Sequence, residues 1–243
     1  MNLTIDIGNT RTKLGFFADG RLMNKIVWEK WKIEDLKNLL DNHSAENIIC
    51  STVRPVNWEV IQYLSSKSFF LNLDETTPLP IQNLYETPKT LGRDRLAAVV
   101  GARALYPGQD CLVIDAGTCI TYDIIDARGN YLGGNISPGL KMRLQAMHQF
   151  TASLPLVAAK ENIGMDIGKN TKQAIQIGGE MGNVLEMEAW ILYFQDKFVG
   201  INTILTGGDA EYFAKRLKTK IFANSNLVLI GLNKILNYNV ELL

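Results

Sequence analysis

The chain has 243 residues, 47% of them hydrophobic and 21% charged, with 25 basic and 25 acidic side chains and a formal net charge of zero. A chain of this size and balance folds as one large domain or two modest lobes around a real core, with little room for long disorder. Neither sign of charge gathers into a block, which argues against nucleic acid and anionic membranes as main partners, and the apolar stretches are too short to span a bilayer.

Met1 to Asp6 enters a strand pattern directly, without the basic region and apolar core of a secretory signal. Leu3-Thr4-Ile5-Asp6-Ile7-Gly8-Asn9-Thr10 is an apolar strand ending in Asp-x-Gly and a hydroxyl residue. A second apolar run, Lys13 to Ala18, closes a hairpin at Asp19-Gly20, and Arg21 to Trp28 adds a third strand. Apolar spacing then predicts a helix over Glu34 to Leu40, a strand over Asn47 to Ser51, a helix over Trp58 to Leu64 and a strand over Phe69 to Leu73.

Pro78, Pro80 and Pro88 mark Asp74 to Pro88 as a connector and place the lobe boundary there, giving lobes 1–88 and 89–243. After an apolar helix, Leu96 to Leu105, the opening pattern returns. Leu112-Val113-Ile114-Asp115-Ala116-Gly117-Thr118 repeats the strand and turn, Ile120 to Asp126 is the second run, Arg128-Gly129-Asn130 closes the hairpin, and Tyr131 to Ile136 is the third strand. Helical periodicity follows from Asp166 to Phe198, then a strand over Ile201 to Thr206, a helix over Ala210 to Leu217, and apolar residues from Leu227 to Leu236 that pack back on the core. Strand, turn and order recur together, so the chain reads as two related α/β halves.

Cys50, Cys111 and Cys119 are odd in number and lack zinc spacing. They read as reduced thiols and fit a cytoplasmic location.

A strand ending in Asp-x-Gly before a tight hairpin directs backbone N–H groups and hydroxyls into one concavity, a nest suited to phosphate. In the first copy Gly8 allows close approach, Asn9, Thr10 and Thr12 offer donors, Arg11 or Lys13 adds positive charge, and Asp6 can hold Mg²⁺. The second copy, Asp115 to Thr121, is expected to face the first across a cleft and cradle the other end of a polyphosphate. Leu205 to Ala210 can bring backbone near an adenine or ribose, or be a plain strand-to-helix turn. The run Gly133 to Gly139 either receives a ligand against its backbone or forms a tight irregular crossover.

Asp94, in Gly92-Arg93-Asp94-Arg95, stands near the start of the apolar helix, where the helix dipole favours an ionised carboxylate. It is either a cap or the group that takes a proton from an acceptor hydroxyl; phosphoryl transfer relies mainly on positioning and charge neutralisation, so such a base need not be strong. Arg95 can pair with a substrate carboxylate.

Taken in order, the motifs resemble the type III pantothenate kinases of the actin, hexokinase and acetate kinase superfamily. The resemblance runs over nearly the whole chain: Asp6 to Thr10, Tyr85 through Pro88 to Leu91-Gly92-Arg93-Asp94-Arg95, Asp115 to Thr118 with Thr121 and Asp123, Gly133 to Gly139, Leu154-Pro155, Asn170-Thr171 and Thr206 to Asp209. It implies a duplicated actin-like (ribonuclease H-like) fold, each lobe with a mixed five-stranded sheet flanked by helices. The implied reaction transfers the γ-phosphoryl group of ATP to the primary hydroxyl of pantothenate, the first step of coenzyme A biosynthesis.

By this resemblance Asp6, Ile7, Gly8, Asn9, Thr10, Arg11, Thr12, Lys13 and Thr118 contact ATP, and Asp94 accepts the proton. Tyr85, Gly92, Arg93, Asp94, Arg95 and Thr171 bind pantothenate, while Asp115 holds a monovalent cation, K⁺ or NH₄⁺. A homodimer and Mg²⁺ as the nucleotide's ion are implied too. The chain departs from the family pattern at Cys119, where a small alanine is common, and in its lower serine content between Gly164 and Gly182. Two other readings stay open: a kinase of the same superfamily acting on a sugar or small acid, and a metabolite-binding transcriptional accessory factor without turnover.

Overall fold

The computed structural model describes residues 1–53, 57–159 and 167–243. Its contacts divide the chain into two units: Met1–Gly108 with Ile125–Gly133 and Asn226–Leu243, and Gln109–Ile124 with Gly134–Ser225.

In the first unit, β1 (Asn2–Ile7), β2 (Thr12–Ala18) and β3 (Arg21–Trp28) form the expected meander, followed by α1 (Ile33–Asn42), β4 (Asn47–Thr52), α2 (Trp58–Lys67) and β5 (Phe69–Asn72). The sheet order is β3-β2-β1-β4-β5, with β1 antiparallel to β2 and parallel to β4. Side chains alternate along a strand, so Leu3, Ile5 and Ile7 enter a core with Leu36, Val60 and Leu64 of α1 and α2. Asn2 points the other way and donates to Asn233 at 2.9 Å.

Asn233 belongs to α7 (Leu227–Val240), which packs on α3 (Arg93–Leu105) and on β1. The two helices meet at glycines: a Cβ at Gly231 would overlap the Ala97 carbonyl oxygen, and one at Gly101 would overlap that of Leu227. Residues 89–108 and 226–243 therefore group with the first sheet, and the boundary expected at residue 88 falls inside this unit. The connector itself contains β6 (Gln82–Asn83), which runs parallel to the start of β9 (Asn130–Pro138).

The second unit repeats the plan. β7 (Cys111–Ala116) and β8 (Cys119–Ile125) lead into β9, then α4 (Leu140–Gln149), α5 (Thr171–Lys197), β10 (Asn202–Thr206), α6 (Ala210–Ala214) and β11 (Phe222–Ala223). The order is β11-β10-β7-β8-β9-β6. Reading β9-β8-β7-β10-β11 against β3-β2-β1-β4-β5 gives the same succession, and β7 pairs in parallel with β10 as β1 does with β4. The duplication is thus one of topology as well as of motif. The second sheet has six strands where five were expected, because β6 extends its edge. Leu112, Ile114 and Tyr122 pack with Leu140, Val184 and Met187 beneath this sheet.

Several boundaries differ from the sequence expectation. α3 begins at Arg93, so Asp94 lies within its first turn. The helix expected from Asp166 begins at Thr171, with Asn170 as its cap accepting from Gln173 N at 3.0 Å; Asp166 itself lies outside the described residues, as does Gly164. The helix expected over Ala210 to Leu217 stops at Ala214. No helix among the described residues is long and apolar enough to cross a membrane.

Candidate active site

The first turn is built as the sequence suggests. Asp6 and Lys13 are direct partners across the β1–β2 ladder, and Ile7 pairs with Thr12. Gly8 N–H donates to the Arg11 carbonyl at 3.0 Å, which leaves Asn9, Thr10 and Arg11 exposed at the tip. Asp6 is 8% exposed at the end of its strand. Strand alternation puts Asp6 and Lys13 on one face and Ile7 and Thr12 on the other.

Two residues of the predicted set turn their side chains into the core. Ile7 is buried among core side chains and has only its backbone to offer a ligand. The Thr12 hydroxyl, expected to be a phosphate donor, is buried and accepts from the Trp31 indole at 2.9 Å. Neither partner choice was visible in the sequence, since Trp31 lies beyond a further strand.

The first unit also gathers Tyr85, Gly92, Arg93, Asp94 and Arg95. Asp94 sits one residue into α3, its Oδ1 accepting from Arg95 N–H at 2.8 Å. Arg95 is only 5% exposed, and its guanidinium carbon lies 5.5 Å from the centroid of the Tyr85 ring. Tyr85 stacks on buried Tyr131 with centroids 6.1 Å apart and planes 15° apart.

β6 explains this arrangement: Leu84 N–H donates to the Tyr131 carbonyl at 3.0 Å, bringing the connector alongside β9. Gly133 takes φ 106°, a backbone conformation that favours glycine, and a Cβ there would make ordinary contact with Tyr85 Cδ2 at 3.6 Å. Tyr131, beneath Tyr85 in the candidate site, is a residue that sequence reasoning missed; its pairing with a two-residue strand nearly 50 positions away has no local signal.

Arg93, expected at the substrate, is turned to its own chain. Its Nε donates to the Leu73 carbonyl at 2.7 Å and its guanidinium meets Glu75 at 3.5 Å. It ties the connector to α3.

In the second unit Asp115 ends β7, half-buried, and Thr118 is exposed in the turn before β8. Glycines seat this turn by direct backbone contact. Gly139 N–H donates to the Thr118 carbonyl at 3.1 Å, and a Cβ on Gly139 would overlap the Gly117 carbonyl. A Cβ on Gly207, at φ 103°, would overlap that of Ala116, whose oxygen also accepts from Asp209 N–H at 2.9 Å.

The Gly133 to Gly139 run accordingly serves strand β9 and the turn: Gly134 packs on the Tyr122 carbonyl, Gly139 on Gly117. Gly208 alone among these has open space beside it. Arg143 of α4 supports the same junction, donating to the Pro138 carbonyl at 3.1 Å and pairing with Glu186, which also accepts from the Tyr122 hydroxyl at 3.2 Å. Burial, with the Glu186 charge next, pushes the Tyr122 hydroxyl well above its ordinary value, so it stays a neutral donor. Thr171 is exposed as the first residue of α5.

Two sheets of one strand order, each with an Asp-x-Gly turn at the end of its first strand, define the class as proteins of the actin-like fold. The solved structures agree on the fold. A conserved protein of Campylobacter jejuni described as a Baf family transcriptional activator matches with TM-score 0.62 at 23% identity, covering 98% of this chain and 99% of that one. The ROK hexokinase of Thermus thermophilus matches with TM-score 0.51 at 14% identity, covering 98% and 99%.

The family model described as type III pantothenate kinase matches residues 2–192. A type III pantothenate kinase of Bacteroides fragilis is 47% identical over 240 residues, 98% of each chain, and one of Phocaeicola vulgatus is 45% identical over 243 residues, the full length of both. The chain belongs to the type III pantothenate kinase family.

Proposed function

We propose that this chain transfers the γ-phosphoryl group of ATP to the primary hydroxyl of pantothenate, the first step of coenzyme A biosynthesis, with Asp94 as proton acceptor. The observation that carries this reading is the cluster on the first unit: a carboxylate fixed in the first turn of α3, beside a nearly buried arginine that lies over a tyrosine ring. Arg95 and Tyr85 are suited to a small acid with an apolar body, the guanidinium pairing with the carboxylate. Asp94 orients the hydroxyl and takes its proton as the oxygen attacks the γ-phosphorus and ADP leaves. The Gly8–Arg11 turn, with Lys13, receives nucleotide phosphates on the first unit, and the turn at Gly117 and Thr118 has the same phosphate-binding form.

Mg²⁺ binds through one or two carboxylates plus phosphate oxygens and water, so the single carboxylate of Asp6 fits it. Among the described residues no group of three His, Cys, Asp or Glu side chains is assembled to hold a metal ion. Asp115 stands close to the Ala116 carbonyl and Gly207, an oxygen-rich setting for K⁺ or NH₄⁺. These ions supply neutralisation of phosphate charge.

The homodimer expected from the family has a candidate face. Gly178, Gly182, Leu185, Ala189 and Leu192 fall on one stripe of α5, and Leu185 and Leu192 are 61% and 55% exposed. An exposed apolar stripe of this kind is characteristic of an interface. The reading keeps the enzyme in the cytoplasm.

A coupled assay of ADP release tests the function, with pantothenate as acceptor and Na⁺ or K⁺ as the salt. Pantothenate-stimulated turnover that is greater in K⁺ is expected. No stimulation in either salt, or turnover with a hexose instead, overturns it.

A further inference from the structure

The hairpin that carries Asp6 and Lys13 is held from behind by a residue outside it. Trp31 follows β3 and donates its indole N–H to Thr12 Oγ1 at 2.9 Å. Thr12 is the first residue of β2, 1% exposed, opposite Ile7 on one side and Trp28 on the other. Trp28 and Trp31 pack with ring centroids 5.7 Å apart, and both rest on the core beneath β1 and β2. One buried residue thus joins three strands through its backbone and the segment leading to α1 through its side chain.

The chemistry of the pair sets direction. Indole N–H can only donate, so the Thr12 oxygen must accept, and its position is fixed relative to the Trp31 ring. Thr12 directly follows the Asn9-Thr10-Arg11 tip, whose backbone N–H groups must be held to within tenths of an ångström to stabilise phosphate charge. Gly8 N–H is already committed to the Arg11 carbonyl, so the shape of the tip is inherited from where β2 begins. At its outer side the tip also carries the exposed Arg11–Glu29 pair at 3.6 Å, and exposed pairs of that kind hold little.

We propose that Trp31 is a positioning residue for phosphate binding. Through Thr12 it fixes the start of β2 and so the turn that receives the nucleotide. The Thr12 hydroxyl serves as the anchor for this strut and does not itself contact phosphate. The proposal rests on the reading that the Asp6–Lys13 hairpin binds ATP.

The test compares the full-length wild type with Trp31→Phe, Thr12→Val, Thr12→Ser, the Trp31→Phe/Thr12→Val pair, and Asp6→Asn as a reference. It measures the Kd of the non-hydrolysable analogue AMPPNP with Mg²⁺, the KM of ATP and the KM of pantothenate. Trp31→Phe keeps the ring and loses the donor; Thr12→Val keeps the shape and loses the acceptor. Each is expected to raise Kd and the ATP KM about tenfold, with the pantothenate KM within twofold of wild type. The double variant is expected to be no worse than either single one, and Thr12→Ser to stay near wild type.

A merely structural role would lower the melting temperature and leave the two KM values moving together or not at all; that result overturns the proposal. So does a double variant that loses the product of the two single effects. If wild type binds no AMPPNP, or Asp6→Asn binds it unchanged, the nucleotide assignment of the hairpin falls first and the strut with it.

Discussion

A Cβ atom at Gly92 would stand 2.6 Å from Oδ1 of Asp94. The carboxylate therefore occupies space that only a glycine leaves open just before α3. Alanine at 92 has an allowed backbone there, since φ is −58° and ψ 127°, so the fold tolerates it while Asp94 must turn away. Gly92→Ala is expected to lower kcat about tenfold or more, in the range that misplacing one catalytic group produces, with little change in the melting temperature. Steady-state kinetics beside a thermal melt measures both.

Asp94→Asn keeps the size of the side chain and removes its ability to take a proton. A loss of roughly 10²-fold or more in kcat is expected, with AMPPNP affinity retained. A metabolite-binding protein without turnover would be indifferent to the change, so the same variant separates an enzyme from an accessory factor.

Arg95→Lys keeps the charge and removes the planar fork that lies over Tyr85. The pantothenate KM is expected to rise about tenfold, as loss of one charged hydrogen bond of about 1.5 kcal/mol would produce, with the ATP KM within twofold of wild type. Tyr131→Leu, which removes the ring beneath Tyr85, is expected to act in the same direction. Kinetics with each substrate varied in turn reads the split.

The α3–α7 crossing makes a stability prediction. A methyl group at Gly231 has nowhere to go except into the Ala97 backbone, and backbone cannot rotate aside. Gly231→Ala is expected to cost about 3 kcal/mol, at the upper end of overpacking penalties, seen as a lower urea midpoint at unchanged slope.

Burial, with the Asp6 charge second, pushes the Cys50 thiol up to about 12 from 9.0. An unfolded thiol ionises near 9.0, so between 9 and 12 the unfolded chain binds fewer protons than the folded one. Stability from this group is complete below pH 9 and is lost as pH rises through 12, at about 1.4 kcal/mol per pH unit where the thiol alone contributes. Urea unfolding from pH 8 to 11 is expected to show a steeper decline for wild type than for Cys50→Ala, and Cys50 is expected to react with a thiol reagent only on unfolding.

Much of this fold was legible because its signals are local. Alternation in Leu3 to Ile7, the Asp19-Gly20 turn and the returning Asp-x-Gly at Asp115 act within a few residues, and each strand ends where its pattern breaks. The helix start at Arg93 was missed by three residues, since Gly92 caps by backbone alone and carries no side-chain signal. The placement of α7 was missed for a different reason. An apolar run says that a helix is buried, not which sheet it covers, and α7 lies on the first sheet although it is last in sequence.

For the phosphate turn, the amino-acid order by itself determined that Asp6, Gly8 and Lys13 share one tight hairpin, and that a second such hairpin exists at Asp115. Backbone conformation at Gly and strand alternation are properties of neighbours in the chain. What only the tertiary structure decided is which side chain faces which partner: Thr12 turned to Trp31, Arg93 turned to Leu73 and Glu75, Tyr85 laid between Tyr131 and Arg95. Those choices depend on strands and loops separated by about 20 to nearly 50 positions that meet only once the chain has folded, and hydrogen-bond and ring partners are fixed by that meeting.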